Sequence, residues 1–292
     1  MRGRAGMPAC RICESRAVSL FCVKGPASYY LCRGCDTVFQ HPIPTPEEMV
    51  NYADTQYREG VYRDYVAARD LKHEHFRHRL LEFGGRFPPP GRLLDLGCSC
   101  GYFLDVALES GYDAYGVEFS EEAIAAAWPA TRQRIRRANV NDADGDHPRE
   151  YDVVTAFDII EHVEDPVTFL GEIEGMLAPG GGVVVSTPDT GHILRYLMGA
   201  RWPMLQPMQH TTLMSRLGLR IALERAGFQE VVVTTARKTL TLDYLFEQVR
   251  DHNPALHAAY SVTRRMVPGA VRSHPLRINI GELLAVSVKP SW

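Results

Sequence analysis

Leu93-Leu94-Asp95-Leu96-Gly97-Cys98-Ser99-Cys100-Gly101 reads as an apolar strand running into a loop of small residues that opens a helix. Glycine at 97 and 101 lets the backbone approach a ligand and lets the helix pack close to a sheet. The loop falls at the carboxyl end of its strand, where open α/β sheets bind ligands. The next strand ends on Glu118, within GYDAYGVEFS, 23 positions after Asp95. A carboxylate there can accept hydrogen bonds from both hydroxyls of a ribose. A nicotinamide dinucleotide site would ask for GxGxxG, a spacing that GCSCG does not meet, which argues against an oxidoreductase. The structural alternative is a tight strand-to-helix turn beside a solvated glutamate.

Outward from this loop, short apolar runs alternate with amphipathic stretches, as in βα units around a parallel sheet. Strands are expected at Arg92–Leu96, Ala114–Glu118, Asp152–Phe157, Gly182–Thr187, Gln229–Thr235 and Glu282–Val288, with a short one near Arg136–Val140. Helices are expected at Gly101–Ser110, Ser120–Trp128, Pro166–Leu177 and Thr212–Ala226. Upstream, a helix is expected over Tyr65–Phe83, and FPPPG at 87–91 stops it. The expected fold is a Rossmann-like, doubly wound, mostly parallel α/β sheet with an N-terminal zinc ribbon. Its parts are a ribbon at 1–45, a helical cover or linker at 46–90 and a cofactor domain at 91–292. Segments 188–212 and 236–280 break the alternation and are too long for simple connections, so they are expected to build a substrate pocket or lid.

The ribbon rests on Cys10-x2-Cys13 and Cys32-x2-Cys35, separated by 18 residues. This is the spacing of a four-thiolate zinc site, and four soft thiolates close its coordination shell, so the zinc is structural. Some forty residues fold poorly without such a staple. Cys22, between the pairs, is expected to be buried and not a ligand.

At this point the chain resembles the class I S-adenosylmethionine-dependent methyltransferases, in the branch with a cysteine-rich N-terminal segment. The resemblance rests on the glycine loop, on YDVVTAFDIIEHVEDP at 151–166 and on LAPGGGVVVSTPD at 177–189. RWP at 201–203, His210 and NIGELLAVSVKP near the C-terminus are similar to the same branch. It implies that Asp95, Gly97, Ser99 and Gly101 line the methionine and ribose of S-adenosylmethionine. It places Glu118 at the ribose hydroxyls and Phe119 beside the adenine. Asn139 and Val140 would flank the adenine, and Asp158 would sit near the methionine end. Ser99 stands where the family has its middle glycine, which puts the local backbone angle in question.

Methyl transfer from a sulfonium is a direct displacement, helped by positioning and, for a hydroxyl or amine acceptor, by a base. His162, just past the fourth strand, and His210, in QPMQHTTL, are the candidate bases. Each has a competing structural role. Tyr52, Tyr57, Tyr62 and Tyr65 could close over the cofactor or simply pack, and Met198, Met204, Met208 and Met214 with Trp202 could line an apolar pocket or a core. Glu161 and Asp165 could bind a metal, without assembling a convincing second metal site.

The bulk numbers narrow the partners. The 292 residues carry a net charge of -3, which argues against nucleic acid, and no apolar run suits a membrane. The positively charged N-terminus lacks the apolar core of a signal peptide, and paired cysteines without an export signal point to the cytoplasm. The expected activity is methyl transfer to a small-molecule acceptor, such as a sugar or natural-product intermediate. A protein or RNA methyltransferase and a non-catalytic zinc-ribbon adaptor are the alternatives. Oligomeric state is left open.

Overall fold

The structure, a computed structural model, describes residues 7–60, 63–140, 150–249 and 254–291. Alternating apolar residues put one core on each face of a seven-stranded sheet. Leu93 in β4 (Arg92–Leu96), Val184 in β8 (Leu177–Pro188) and Leu284 in β11 (Leu276–Val288) face one core. Their neighbours Leu94, Val183, Val185 and Leu283 face the other. That period-two pattern, buried on both sides, is what a sheet covered by helices on both faces requires.

With β5 (Asp113–Glu118), β6 (Ile135–Arg137), β7 (Tyr151–Phe157) and β10 (Gln229–Leu240), the strand order is β10-β11-β8-β7-β4-β5-β6. Strands β8, β7, β4, β5 and β6 run parallel, while β11 enters antiparallel between β8 and β10. The order reverses between β4 and β7, and the crevice at their carboxyl ends is where such sheets bind ligands.

Before the sheet come α1 (Pro46–Arg58), α2 (Arg63–Ala67) and α3 (Arg69–Phe83). The helix expected over 65–83 is therefore broken at Ala68, where φ -90 and ψ 29 leave the helical region. Next come α4 (Tyr102–Glu109), α5 (Glu121–Ala126) and α6 (Pro129–Arg132). The helix expected over 120–128 ends early, because Ala127 and Trp128 are extended ahead of Pro129. Ser120 caps α5 by accepting from the Ala123 N–H at 3.2 Å. The remaining helices are α7 (Pro166–Met176), α8 (Ile193–Met198), α9 (Arg216–Arg225), α10 (Leu242–Val249), α11 (Pro254–Thr263) and α12 (Gly269–Arg272).

The largest departure from expectation lies at 188–216. Helix α9 starts at Arg216, not Thr212, because Ser215 is its N-cap and accepts from the Gly218 N–H at 3.0 Å. Thr212–Leu213 is instead a strand, β9, paired with Val38 and Phe39. It completes a second sheet of order β1-β2-β3-β9, in which β1 (Val18–Lys24), β2 (Ala27–Cys32) and β3 (Val38–Gln40) come from the cysteine-rich segment. Trp202, Leu205 and Leu213 pack with Ala27, Tyr29 and Val38 in a core of their own, and Met214 joins the main one. Trp202 and Met214 are therefore packing residues, not pocket lining. Gly218 lets α9 approach this sheet, since a Cβ there would lie 2.6 Å from Thr37 Oγ1. Among the described residues no helix is long and apolar enough to cross a membrane.

Candidate active site and thiolate cluster

The glycine loop closes between β4 and α4. Gly97 takes φ +71, and a Cβ there would overlap Ile159 Cδ1 at 2.2 Å, so only glycine fits. Ser99 also adopts a left-handed φ of +49, the conformation that favours glycine, and so keeps the loop geometry despite its side chain. Its N–H donates to Glu118 Oε2 at 2.9 Å, while the Ser120 N–H donates to Oε1 at 2.8 Å. Burial pushes the Glu118 pKa up and these N–H donors pull it back. Each carboxylate oxygen keeps acceptor capacity beyond its one bond.

Asp95 turns inward: Thr155 of β7 donates to its Oδ1 at 2.6 Å, and burial raises its pKa to about 7. It braces the strand ends beneath the loop. Phe119 follows Glu118, and the Tyr57 ring meets it edge-on at 6.2 Å. Tyr57 Oη also lies 3.1 Å from Ser99 Oγ, so α1 covers the loop. Asn139 and Val140 follow β6, and Val140 packs against the main core. Tyr62 lies outside the described residues.

Asp158, one residue past the carboxyl end of β7, takes a left-handed φ of +55. Its Oδ1 accepts from Ser186 Oγ at 3.1 Å and its Oδ2 from Lys238 Nζ at 2.7 Å. Burial opposes its charge, yet the Lys238 ammonium prevails and holds the carboxyl well below the usual range. Among the described residues, the neighbouring Glu161 forms no ion pair with a cation, and Lys238 offsets its burial only in part. Burial and the Asp158 charge raise its pKa to about 8, and Thr187 donates to its Oε2 at 3.0 Å.

His162 and His210 meet edge-to-face, ring centroids 4.8 Å apart. Each Nδ1 lies against a backbone carbonyl, of Gln209 at 3.2 Å and of Met204 at 2.7 Å. A carbonyl only accepts, so each Nδ1 carries the proton and each Nε2 keeps a lone pair. Burial lowers both pKa values, to about 3 for His210, so both rings are neutral near pH 7. A ligand atom from each of Glu161, His162 and His210 falls within 4.8 Å of the others, a grouping able to hold a cation. Asp165 is not part of it; its Oδ1 caps α7, accepting from the Val167 N–H at 3.0 Å.

The four thiols expected to form a site converge, with all four Sγ atoms within 4.8 Å of one another. Cys10 and Cys35 lie 3.6 Å apart, and Cys13 and Cys32 3.5 Å. A tetrahedral zinc with ~2.3 Å bonds sets its sulfurs about 3.8 Å apart, so the donor set fits that ion. Glu14 and Asp36, each just past a CxxC, take positive φ, which turns the chain back as a metal knuckle does. Cys22 stands apart from the cluster and is only partly buried.

Sequence reasoning missed Lys238 and Glu282, whose ion pair at 3.3 Å joins Asp158, and Arg79, 2.5 Å from Glu282. These residues come from β10, β11 and α3, so no local motif could reveal them.

Sheet order, glycine loop and strand-end glutamate define a class I, Rossmann-like methyltransferase fold. The chain belongs to the methyltransferase-domain family, whose profile, described as "Methyltransferase domain", matches residues 65–233. Among curated relatives, a ubiquinone biosynthesis O-methyltransferase of Nitrosospira multiformis is 31% identical over 100 residues, 32% of this chain and 42% of that protein. One of the same description from a Caulobacter species is 36% identical over 109 residues, 35% of this chain and 43% of the relative. The chain thus matches about two fifths of these relatives' length. The fold is similar to a SAM-dependent methyltransferase of Archaeoglobus fulgidus, with TM-score 0.53 and 17% identity over 77% of this chain and 99% of that one. It is also similar to the YcgJ protein of Bacillus subtilis, with TM-score 0.52 and 13% identity over 73% and 98% of the two chains.

Proposed function

We propose that the protein transfers a methyl group from S-adenosylmethionine to a hydroxyl of a small-molecule acceptor. The observation that carries this is the Glu118 carboxylate at the end of β5, fixed by the N–H groups of Ser99 and Ser120 beside the glycine loop. In that position Glu118 would hold the ribose hydroxyls. Gly97, Ser99 and Gly101 would let the backbone lie against the cofactor, and Asp95 would brace the loop. Phe119, Asn139 and Val140 would border the adenine, and Asp158 the methionine end. The bound cofactor supplies an electrophilic methyl group on a sulfonium.

The residues around the crevice then orient the acceptor and remove its proton. His162 and His210 each present an unprotonated Nε2, and either can take the hydroxyl proton as displacement proceeds. The O-methyltransferase relatives support an oxygen acceptor. The four cysteines would hold a structural zinc that shapes the small sheet and takes no part in the displacement. Residues 1–45, 46–90 and 91–292 serve as ribbon, cover and cofactor domain.

Calorimetric titration of the zinc-replete full chain with S-adenosylhomocysteine tests the cofactor assignment. Micromolar binding supports it, and no binding overturns it. Tritium transfer from labelled S-adenosylmethionine to a panel of phenols and sugars then tests the acceptor class.

A further inference from the structure

Lys72, His75 and Arg79 lie on one face of α3, at spacings of three and four residues, and that face looks onto the carboxyl end of the sheet. His75 Nδ1 accepts from the Thr239 N–H at 3.2 Å, which fixes the helix against β10 next to Lys238. Burial holds the His75 pKa well below its ordinary value, so this ring adds no charge at neutral pH.

The other cations of the cluster are matched. Lys238 pairs with Asp158 at 2.7 Å and Glu282 at 3.3 Å, and Arg79 pairs with Glu82 at 2.8 Å and Glu282 at 2.5 Å. Lys72 differs. Its ammonium lies over the rings of Tyr65 at 4.3 Å and Tyr244 at 4.8 Å, and among the described residues no carboxylate stands within ion-pair distance. Two aromatic faces hold a cation but do not neutralise it.

The position of this ammonium matters. Tyr65 stacks on Tyr102, the first residue of α4 after the glycine loop, at 5.7 Å. Lys72 in turn feels Lys238, Asp158 and Glu282. Lys72 therefore stands beside Tyr65, which packs on the helix that follows the glycine loop, and shares its face of α3 with His75 and Arg79, which meet Thr239 and Glu282.

We propose that the acceptor carries an oxyanion, a carboxylate or a phosphate, and that it docks on Lys72 between Tyr65 and Tyr244. Desolvation draws the Lys72 pKa down to about 7, and an anion against the ammonium offsets that penalty. On the Lys238 side the cations are already matched by Asp158 and Glu282, which leaves the ammonium over Tyr65 and Tyr244 as the seat for an anion. The hydroxyl to be methylated would then extend from this anchor toward the histidine pair.

This inference rests on the methyltransferase reading, and one experiment separates the two. The full chain loaded with S-adenosylhomocysteine is titrated with benzoate, phenyl phosphate and the neutral benzyl alcohol. At least one anion should bind roughly tenfold or more tighter than the alcohol, and which one wins distinguishes carboxylate from phosphate. Lys72→Met should weaken that anion by about tenfold or more while leaving S-adenosylhomocysteine affinity unchanged, and Lys72→Arg should retain most of it. Should Lys72→Met not fold, the unsubstituted chain with carbon-13-dimethylated lysines gives a second readout. The Lys72 titration midpoint should rise by about one unit or more with saturating anion. Anions binding no tighter than benzyl alcohol, an unaffected Lys72→Met, or an unmoved Lys72 midpoint overturns the inference. Failure of S-adenosylhomocysteine itself to bind would instead sink the methyltransferase reading.

Discussion

Lys238 Nζ and Asp158 Oδ2 lie 2.7 Å apart, joining the last strand pair of the sheet to the turn after β7. Removing the ammonium would leave Asp158 and the buried Glu282 without it as a counter-charge. Lys238→Met is expected to lower stability by about 2 kcal/mol, allowing for the solvent that reaches Asp158. Adding Glu282→Gln should recover part of that loss. Urea unfolding of both variants measures it, and an unchanged Lys238→Met would show that the pair contributes little.

Glu118 gives the sharpest test of the cofactor cradle. Glu118→Ala should weaken S-adenosylhomocysteine by about 100-fold, and Glu118→Gln by about 10-fold, since glutamine keeps one good acceptor. Calorimetry measures both. Equal affinity in Glu118→Ala and the unsubstituted chain would remove the ribose role.

The glycine loop, its acidic partner and the strands of the large sheet were legible in the sequence because each is local. Apolar runs reveal strands, and a small-residue loop reveals a close approach. The contacts of Asp158 were not, because Lys238 and Glu282 reach it from segments 80 and 124 positions further along. Thr212–Leu213 was misread as helix because two residues carry no periodicity, and their pairing with Val38 and Phe39 depends on the distant ribbon. The histidine pair was named from the sequence, but its common tautomer follows only from the carbonyls of Gln209 and Met204.

His162 and His210 separate binding from chemistry. Replacing the acting base by alanine should lower kcat by about 100-fold or more while S-adenosylhomocysteine affinity stays within about twofold. His162→Ala and His210→Ala assayed side by side decide which ring acts. If neither lowers kcat, the base lies elsewhere.

Acid stability follows from the same pair. Both rings have folded-state pKa values below 6.5, so the unfolded chain binds more protons as pH falls from about 6.5. For His210 that window extends down to about pH 3. The histidines' contribution to stability should therefore fall with pH through this range, against the opposite contribution of the raised Asp95 and Glu161 carboxyls. Thermal melts between pH 7 and 5 isolate it: the stability difference between the unsubstituted chain and His210→Gln should shift against the unsubstituted chain on acidification, and a constant difference would contradict it.

Zinc should be present at one ion per chain by elemental analysis, and Cys35→Ser should lose it. Chelation is expected to lower Tm by about 10 °C, corresponding to a few kcal/mol. A metal-free chain of undiminished Tm would mean that the thiols pack without an ion.

Strand β9 gives the ribbon a mechanical link to the crevice. The Gln40 N–H donates to Thr211 O at 2.8 Å, and the Thr211 N–H donates to Glu161 O at 2.9 Å. Two bonds thus run from the thiolate-bearing sheet to the backbone flanking both histidines. An ion more than a turn of chain away from the reacting atoms would set the distance between the rings. Metal starvation or thiol oxidation would then slacken the proton acceptor while leaving the glycine loop intact, producing a protein that still holds its methyl donor and turns over slowly.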